Sequence, residues 1–426
     1  MRPIDVLIIG AGFSGLSAAF YLQRKGLQVK VLEGLSQPGG RARSENIDGY
    51  TLDRGVHFYH NSTTELAKII DTQSLGLKNT YPGYLLNYKG EFSLFTNPLY
   101  QTLDTVSTAL AKNATFSDKL RLFGLYAKLK TSSYNKIIKE QDASTFQFLS
   151  KSGFSNKLID SFFRPLLAAN IFDYNLQSSS RFSKLYLKSL FQDHVALPKK
   201  GIGSIAKKIA EQLNENTIVY NTKVKKVVEN GVELLNGEII YAKKIIIATN
   251  AIDANTLMCD KKMEAECTHV STLYFSTENT PLSKPVVMLN GNNGTTLINH
   301  VFVPSVLHSE YAPGGKHLVA VNIVKEHDLD DAELEAKCLT ELSEWFGLKV
   351  MDWNHIKTYH IKYAMPFKPI LDEVAFSKAI TENVYVCGDS LSVGSMESAL
   401  RSGRETANLV AQNIVRNQQP ALDWAD

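Results

Sequence analysis

The sequence predicts an α/β protein of two domains: a doubly wound parallel-sheet domain, and an α+β domain built from a mixed sheet with a helical cap. Three observations predict it. A glycine cluster separates an apolar run from a helical pattern in residues 4–33, IDVLIIGAGFSGLSAAFYLQRKGLQVKVLE. A second apolar run, closed by Gly388-Asp389, leads into another long helical pattern at 383–415. The chain has 426 residues, more than one hydrophobic core holds, so two domains are the natural division.

Val6 to Ile9 is an unbroken, β-branched apolar run, which suits a strand covered on both faces. Gly10, Gly12 and Gly15 follow in G-x-G-x-x-G spacing. Gly10 permits a sharp turn, Gly12 lets a pyrophosphate approach the backbone, and Gly15 lets the next helix lie close to the strand. That helix starts near Phe13 and turns Leu16, Ala19, Phe20 and Leu22 inward, with its N-terminal amides facing the pyrophosphate. Gly26 ends it, Gln28 to Leu32 is the second strand, and Glu33 closes that strand 18 residues after Gly15. A carboxylate there accepts hydrogen bonds from both ribose hydroxyls and repels a 2′-phosphate. A bare strand–turn–helix explains neither the three glycines nor Glu33, so the first domain is read as Rossmann-like and dinucleotide-binding.

The bulk composition excludes several classes. Hydrophobic residues are 44% and charged residues 21%, as in a globular chain. A net charge of +3, spread along the chain, gives no footprint for nucleic acid. Cys259, Cys267, Cys338 and Cys387 form no C-x-x-C pair, so neither a metal site nor a disulfide framework is expected. No apolar run approaches the ~18 residues of a membrane helix, which leaves room only for peripheral membrane contact. The glycine motif begins within the first ten residues, leaving no space for a signal peptide, and a cytoplasmic location is the expectation.

After Glu33, Pro38, Gly39 and Gly40 form a loop, and Arg41 and Arg43 supply charge-assisted donors beside a pyrophosphate. In YTLDRGVHFYH (50–60), Gly55 allows close approach of backbone to a flat group. GAGFSG with Ser14, Glu33, GGRARS and LDRGVHF together resemble the N-terminal part of the flavin-dependent amine oxidase superfamily, which includes protoporphyrinogen oxidase and phytoene desaturase. The resemblance implies FAD as cofactor. It places Arg41 along the pyrophosphate, and Gly55, Val56 and His57 beside the isoalloxazine ring.

Residues 61–200 carry helical spacing, as in DKLRLFGLYAKLK (118–130), whose Leu120, Leu122, Phe123, Leu125, Tyr126 and Leu129 form a broad apolar face. They are read as a mostly helical cap. NKLIDSFFRPLLAANIFDYN (156–175) resembles the family's helix at the substrate cavity, with Ala168 and Ala169 where glycines are common. LPKKGIGSIAKKIAEQL (197–213) imitates a second glycine fingerprint, but no strand precedes it, so no second nucleotide site is expected; Ile205, Ile209 and Leu213 face a core. Residues 217–251 are strands, with hairpin signals at Asn230-Gly231 and Asn236-Gly237. By resemblance, Val224 meets adenine and Ala248 and Thr249 pass over the dinucleotide. Alternating stretches in 268–366 form the sheet of the second domain, with a helix over 330–347.

In NVYVCGDSLSVGSMESALRSGRETANLVAQNIV, Ser395 is a fair N-cap, and Ala399, Gly403 and Ala407 make a small-residue stripe that presses the helix against the sheet. By resemblance, Gly388-Asp389 binds the ribityl chain, and the backbone of Ser395 and Met396 faces the flavin. The expected division is 1–60, 198–267 and 367–426 for the FAD-binding domain, and 61–197 with 268–366 for the substrate-binding domain.

No acid–base dyad, serine triad or metal cluster stands out, so the flavin carries the hard step. His57 and Tyr363 are the candidate catalytic residues. Tyr59 and His60 are placed near the flavin by resemblance, and Lys284 is a candidate lysine near N5. The expected activity is hydride transfer from a C–C or C–N unit of a largely apolar small molecule to flavin N5, with O2 among the candidate acceptors. A redox-neutral isomerase and a non-catalytic flavin-binding subunit are the alternatives, and the oligomeric state stays open.

Overall fold

Val6–Ile9, Val29–Leu32 and Lys244–Ile247 pair in parallel at the heart of one sheet, Val6 opposite both Val29 and Lys244. All four side chains of the first strand are buried, as its uninterrupted apolar run requires. The computed structural model describes residues 3–416, apart from 56–57, 62, 97–112, 193, 260–262, 264–265, 293, 295 and 372–373. Among the described residues this sheet has six strands, in the order Ile218–Val219, Val29–Leu32, Val6–Ile9, Lys244–Ile247, Val384–Val386 and Lys378–Ala379. Its strands run parallel except at Lys378–Ala379, which pairs antiparallel with its neighbour.

The fingerprint helix, Phe13–Arg24, packs on the sheet through Leu16, Ala19, Phe20 and Leu22. Gly15 permits this: a Cβ there would lie 2.0 Å from the Gly10 carbonyl oxygen. The C-terminal helix Met396–Arg416 is placed differently from expectation. A Cβ on Gly403 would meet the Ser14 carbonyl oxygen at 2.2 Å. The small-residue stripe therefore seats this helix on the fingerprint helix, not on the sheet. Leu66, Ile69, Ile70 and Leu75 join the same core, although they follow the expected boundary at residue 60.

Among the described residues the second large sheet has seven strands, in the order Asn354–Pro366, Cys267–Thr277, His317–Ile323, His300–Phe302, Val287–Asn290, Gly83–Tyr88 and Glu91–Thr96. The last two are a hairpin inside the stretch expected to be mostly helical. Lys89 and Gly90 turn it, both with positive φ (56° and 77°), and Tyr84 faces Phe95 across the pair. The cap helices include Phe116–Thr131, Thr145–Lys151, Arg164–Ile171 and Ser180–Gln192. In Phe116–Thr131, Leu125, Tyr126 and Leu129 are buried, whereas Leu120 and Phe123 are exposed, so the expected broad face is only partly covered. The helix Asp331–Phe346 starts at Asp330, whose carboxylate accepts from the Glu333 amide, and ends at Gly347.

The loop at 197–213 takes a structural role. The amides of Ile202 and Gly203 donate to Asp53 Oδ1 and Ser44 Oγ at the start of helix Gly203–Ala210. Those amides are thus occupied by side chains of this chain. No described helix is long and apolar enough to cross a membrane.

Candidate functional site

A cavity of about 1440 Å³ opens where Ile9, Leu32 and Gly388 leave the parallel strands. Open α/β sheets bind ligands at this carboxyl edge. Gly10, Gly12, Phe13 and Ser14 line it at the fingerprint turn. Glu33 lines it from the end of the second strand, with its Oε2 accepting from the Ala11 amide at 2.7 Å and its Oε1 from the Leu35 amide at 3.0 Å. The carboxylate is thereby fixed against the turn it closes. Gly12 is the one fingerprint glycine whose added Cβ would meet no protein atom within 4 Å. Its bare face opens onto the cavity rather than serving internal packing.

Gly40 and Arg41 line the cavity from the loop after Glu33, and Val224, Ala248 and Thr249 from the strands beyond it. Gly388 and Asp389 follow the strand Val384–Val386, while Ser395 and Met396 open the C-terminal helix. Ser395 is the N-cap expected, its Oγ accepting from the Ser398 amide at 3.1 Å. Tyr363 also lines the cavity. Gly15 and Gly55 do not; both are buried beside it. Val56 and His57 lie outside the described residues.

The charged centre of the cavity is an ion pair. Arg41 Nη2 donates to Asp389 Oδ1 at 2.6 Å, and Arg41 Nη1 donates to the Ala364 carbonyl at 3.0 Å. Burial pulls the Arg41 guanidinium down, but the Asp389 carboxylate outweighs it and leaves the pKa raised. The guanidinium also lies 5.4 Å from the Tyr363 ring centroid. Burial, then the Asp389 charge, pushes the Tyr363 phenol up to about 12. Tyr363 therefore stays protonated at neutral pH.

The far part of the cavity is built by the cap. Ala169, Phe172, Phe182 and Leu185 supply apolar surface. Asn170 and Tyr186 add a polar pair, Tyr186 Oη donating to Asn170 Oδ1 at 2.8 Å. His60 lines the cavity with its ring edge-on to Tyr186, whereas Tyr59 is buried in the core of the parallel sheet. Lys284 sits over the Tyr81 ring and does not line the cavity. Sequence reasoning missed Phe182, Leu185 and Tyr186. Their i, i+3, i+4 spacing on helix Ser180–Gln192 was the signal available.

Comparison with known proteins supports the same reading. The chain is 30% identical over 146 residues to protoporphyrinogen oxidase 2 of Arabidopsis thaliana, a match covering 33% of this chain and 28% of that protein. It is 41% identical over 80 residues to a putrescine oxidase of Kocuria rosea, covering 19% of this chain and 16% of that one. The chain thus spans under a third of the length of these two relatives. The solved structure of cyclohexylamine oxidase from Brevibacterium oxydans superposes with a TM-score of 0.72 at 17% identity, covering 97% of this chain and 100% of that chain. That likeness concerns the fold. The family of flavin containing amine oxidoreductases matches residues 13–411, nearly the whole chain, and this protein belongs to it.

Proposed function

We propose that the protein is an FAD-dependent oxidoreductase that takes a hydride from a C–C or C–N unit of a largely apolar small molecule. The observation that carries this reading is the continuity of one cavity. Its lining runs from the glycine turn and Glu33 to the apolar residues of the cap. The residues present fit a flavin dinucleotide: a glycine face without a packing partner, a carboxylate at the end of the second strand, and a helix N-terminus at Ser395.

When bound, the flavin supplies a two-electron acceptor that passes its electrons on to O2 or another oxidant. The chain supplies position and charge. Glu33 is held to receive the adenosine ribose hydroxyls. Arg41 and Asp389 fix each other, and together they would offer the cofactor a cationic donor and an anionic acceptor. The amides at Ser395 and Met396 form the positive end of a long helix, which would stabilise negative charge on a flavin held there. The side chains of Phe172, Phe182 and Leu185 exclude water from the reacting carbon.

The electrostatics favour an uncharged or singly charged substrate over a polycation. Among the described residues, five carboxylates line the cavity: Glu33, Glu65, Asp253, Asp389 and Glu397. Each already accepts a hydrogen bond from this chain. Of these only Glu65 falls within 61–197, and it pairs with Arg404 of the C-terminal helix. Among the described residues, the strands between 268 and 305 contribute none to the lining, whereas the strand Asn354–Pro366 contributes His360 to Met365.

Anaerobic mixing of the holoprotein with apolar amines and apolar alkenes tests the proposal. Bleaching of the flavin's visible absorbance on mixing is the expected result. Product without bleaching would identify an isomerase, and neither signal across both sets would reject catalysis of this class.

A further inference from the structure

The helix Phe116–Thr131 carries apolar residues on two sides. Leu125, Tyr126 and Leu129 are buried in the cap. On the other side Phe116, Leu120 and Phe123 are 77%, 59% and 62% exposed, and Ala127 is exposed with them. Their i, i+4, i+7, i+11 spacing sets these four on one stripe about three turns long. Single exposed apolar residues are ordinary, but a contiguous stripe with two phenylalanines and a leucine marks a contact surface.

The charge around the stripe has one sign. At about 100° per residue, Lys119 and Lys130 stand to one side of it and Arg121 and Lys128 to the other. The helix has one acidic residue, Asp118, which is buried and accepts from Thr115 and Ser155. The wider cap repeats the pattern. Residues 113–191 hold twelve lysines and arginines against five acidic residues, in a chain whose whole net charge is +3. The positive charge is therefore concentrated in the cap rather than spread along the chain. The acidic residues there are turned to internal use: Asp173 is buried, Glu140 pairs with Lys128 and Lys184, Asp160 pairs with Arg164, and Asp142 accepts from Ser179 Oγ at 2.7 Å.

A nucleic acid or an acidic protein would use the charges and leave the phenylalanines in water. An apolar protein partner would cover the phenylalanines and set no requirement for cations on both flanks. An anionic lipid surface uses both, because rings enter the acyl boundary while lysine and arginine stems reach back to the phosphates. We propose that this helix lies in the surface of an anionic bilayer, with Phe116, Leu120 and Phe123 inserted and Lys119, Arg121, Lys128 and Lys130 at the lipid phosphates. The contact is peripheral, since no described helix is long and apolar enough to cross a membrane. It goes beyond the reading of the large cavity and does not depend on it.

Flotation of the holoprotein with vesicles of phosphatidylcholine, alone or mixed in equal parts with phosphatidylglycerol, tests it. The mixed vesicles should bind the protein at least about tenfold more tightly than the neutral ones. Arg121→Gln and Lys130→Gln should each weaken that binding by about fivefold. Phe116→Ser combined with Phe123→Ser should weaken it by at least about tenfold. Because both rings are exposed, flavin content and melting temperature should not change. Equal binding to both kinds of vesicle, binding to neither, or full binding by a folded doubly substituted protein would each overturn the proposal. Should that protein melt early, Phe123→Trp decides: brominated lipid in the mixed vesicles should quench the emission that the new indole adds, and unquenched emission rejects the site. Heparin binding that survives loss of both phenylalanines, without vesicle binding, would identify a polyanion site and reject the bilayer.

Discussion

Arg41 and Asp389 lie 348 positions apart in sequence and meet at 2.6 Å across the mouth of the parallel sheet. The pair ties the loop after the second strand to the turn after the strand Val384–Val386. Asp389→Ala removes the acceptor and leaves Arg41 without its anion. FAD affinity should fall by roughly 1.5–3 kcal/mol, the scale of hydrogen bonds to charged groups, towards the lower end because the Arg41 side chain is 33% exposed. The measurement is an FAD dissociation constant. An unchanged constant would place Asp389 outside the cofactor site.

Gly12 and Gly15 should behave oppositely on conversion to alanine. Gly12 has ordinary φ, −74°, and open space where a Cβ would go, so Gly12→Ala should leave the melting temperature of the flavin-free protein unchanged while weakening FAD binding at least tenfold. Gly15→Ala drives a methyl against the Gly10 carbonyl and should cost about 3 kcal/mol or more of stability. Melting curves with and without added FAD separate the two effects.

These glycines also show what the sequence carries openly. Strand, turn, helix and Glu33 lie within thirty residues, and their spacing alone encodes them. The hairpin Gly83–Thr96 was hidden because Lys89-Gly90 is an inconspicuous turn amid apolar residues that also suit helix. The meeting of Arg41 with Asp389, and of Gly403 with Ser14, depends on strand order, which periodicity does not contain. The exposure of Phe123 was equally hidden: helical spacing marks an apolar face but does not say what covers it.

Asp53 should give the protein a pH-dependent stability. Burial outweighs its hydrogen bonds from Ser44, the Ile202 amide and Tyr311, and pushes its carboxyl up to about 6. The folded state therefore holds this proton more tightly than the unfolded chain, whose aspartate titrates near ~4. The stabilising contribution is present in full below about pH 4 and is lost as pH rises through about 6, up to about 3 kcal/mol in all. Asp53→Asn should flatten that part of the stability curve. Denaturant unfolding at pH 4, 5, 6 and 7 checks it, and parallel curves for both proteins would refute it.

Ser395→Pro removes an amide and the capping hydroxyl at the helix start, where the Ser398 amide now has its acceptor. The flavin reduction potential should fall, because a reduced anionic ring at this helix end would depend on it more than the oxidised ring does. FAD affinity should change less than in Asp389→Ala. A redox titration of a folded variant with an unaltered potential would show that this helix does not face the ring.

The interlock of Gly403 with Ser14 has a consequence for biogenesis. The fingerprint helix is made early in translation, but its partner helix emerges only after nearly four hundred residues have been synthesised. Until then the edge of Lys244–Ile247 also waits for Val384–Val386, its neighbour 139 positions later at Ile245↔Val384 register. Such long-range pairing is slow and leaves a sticky strand edge uncovered on the ribosome. The nascent chain should therefore lean on chaperones through most of its synthesis, and cofactor loading should belong to the final moments of folding.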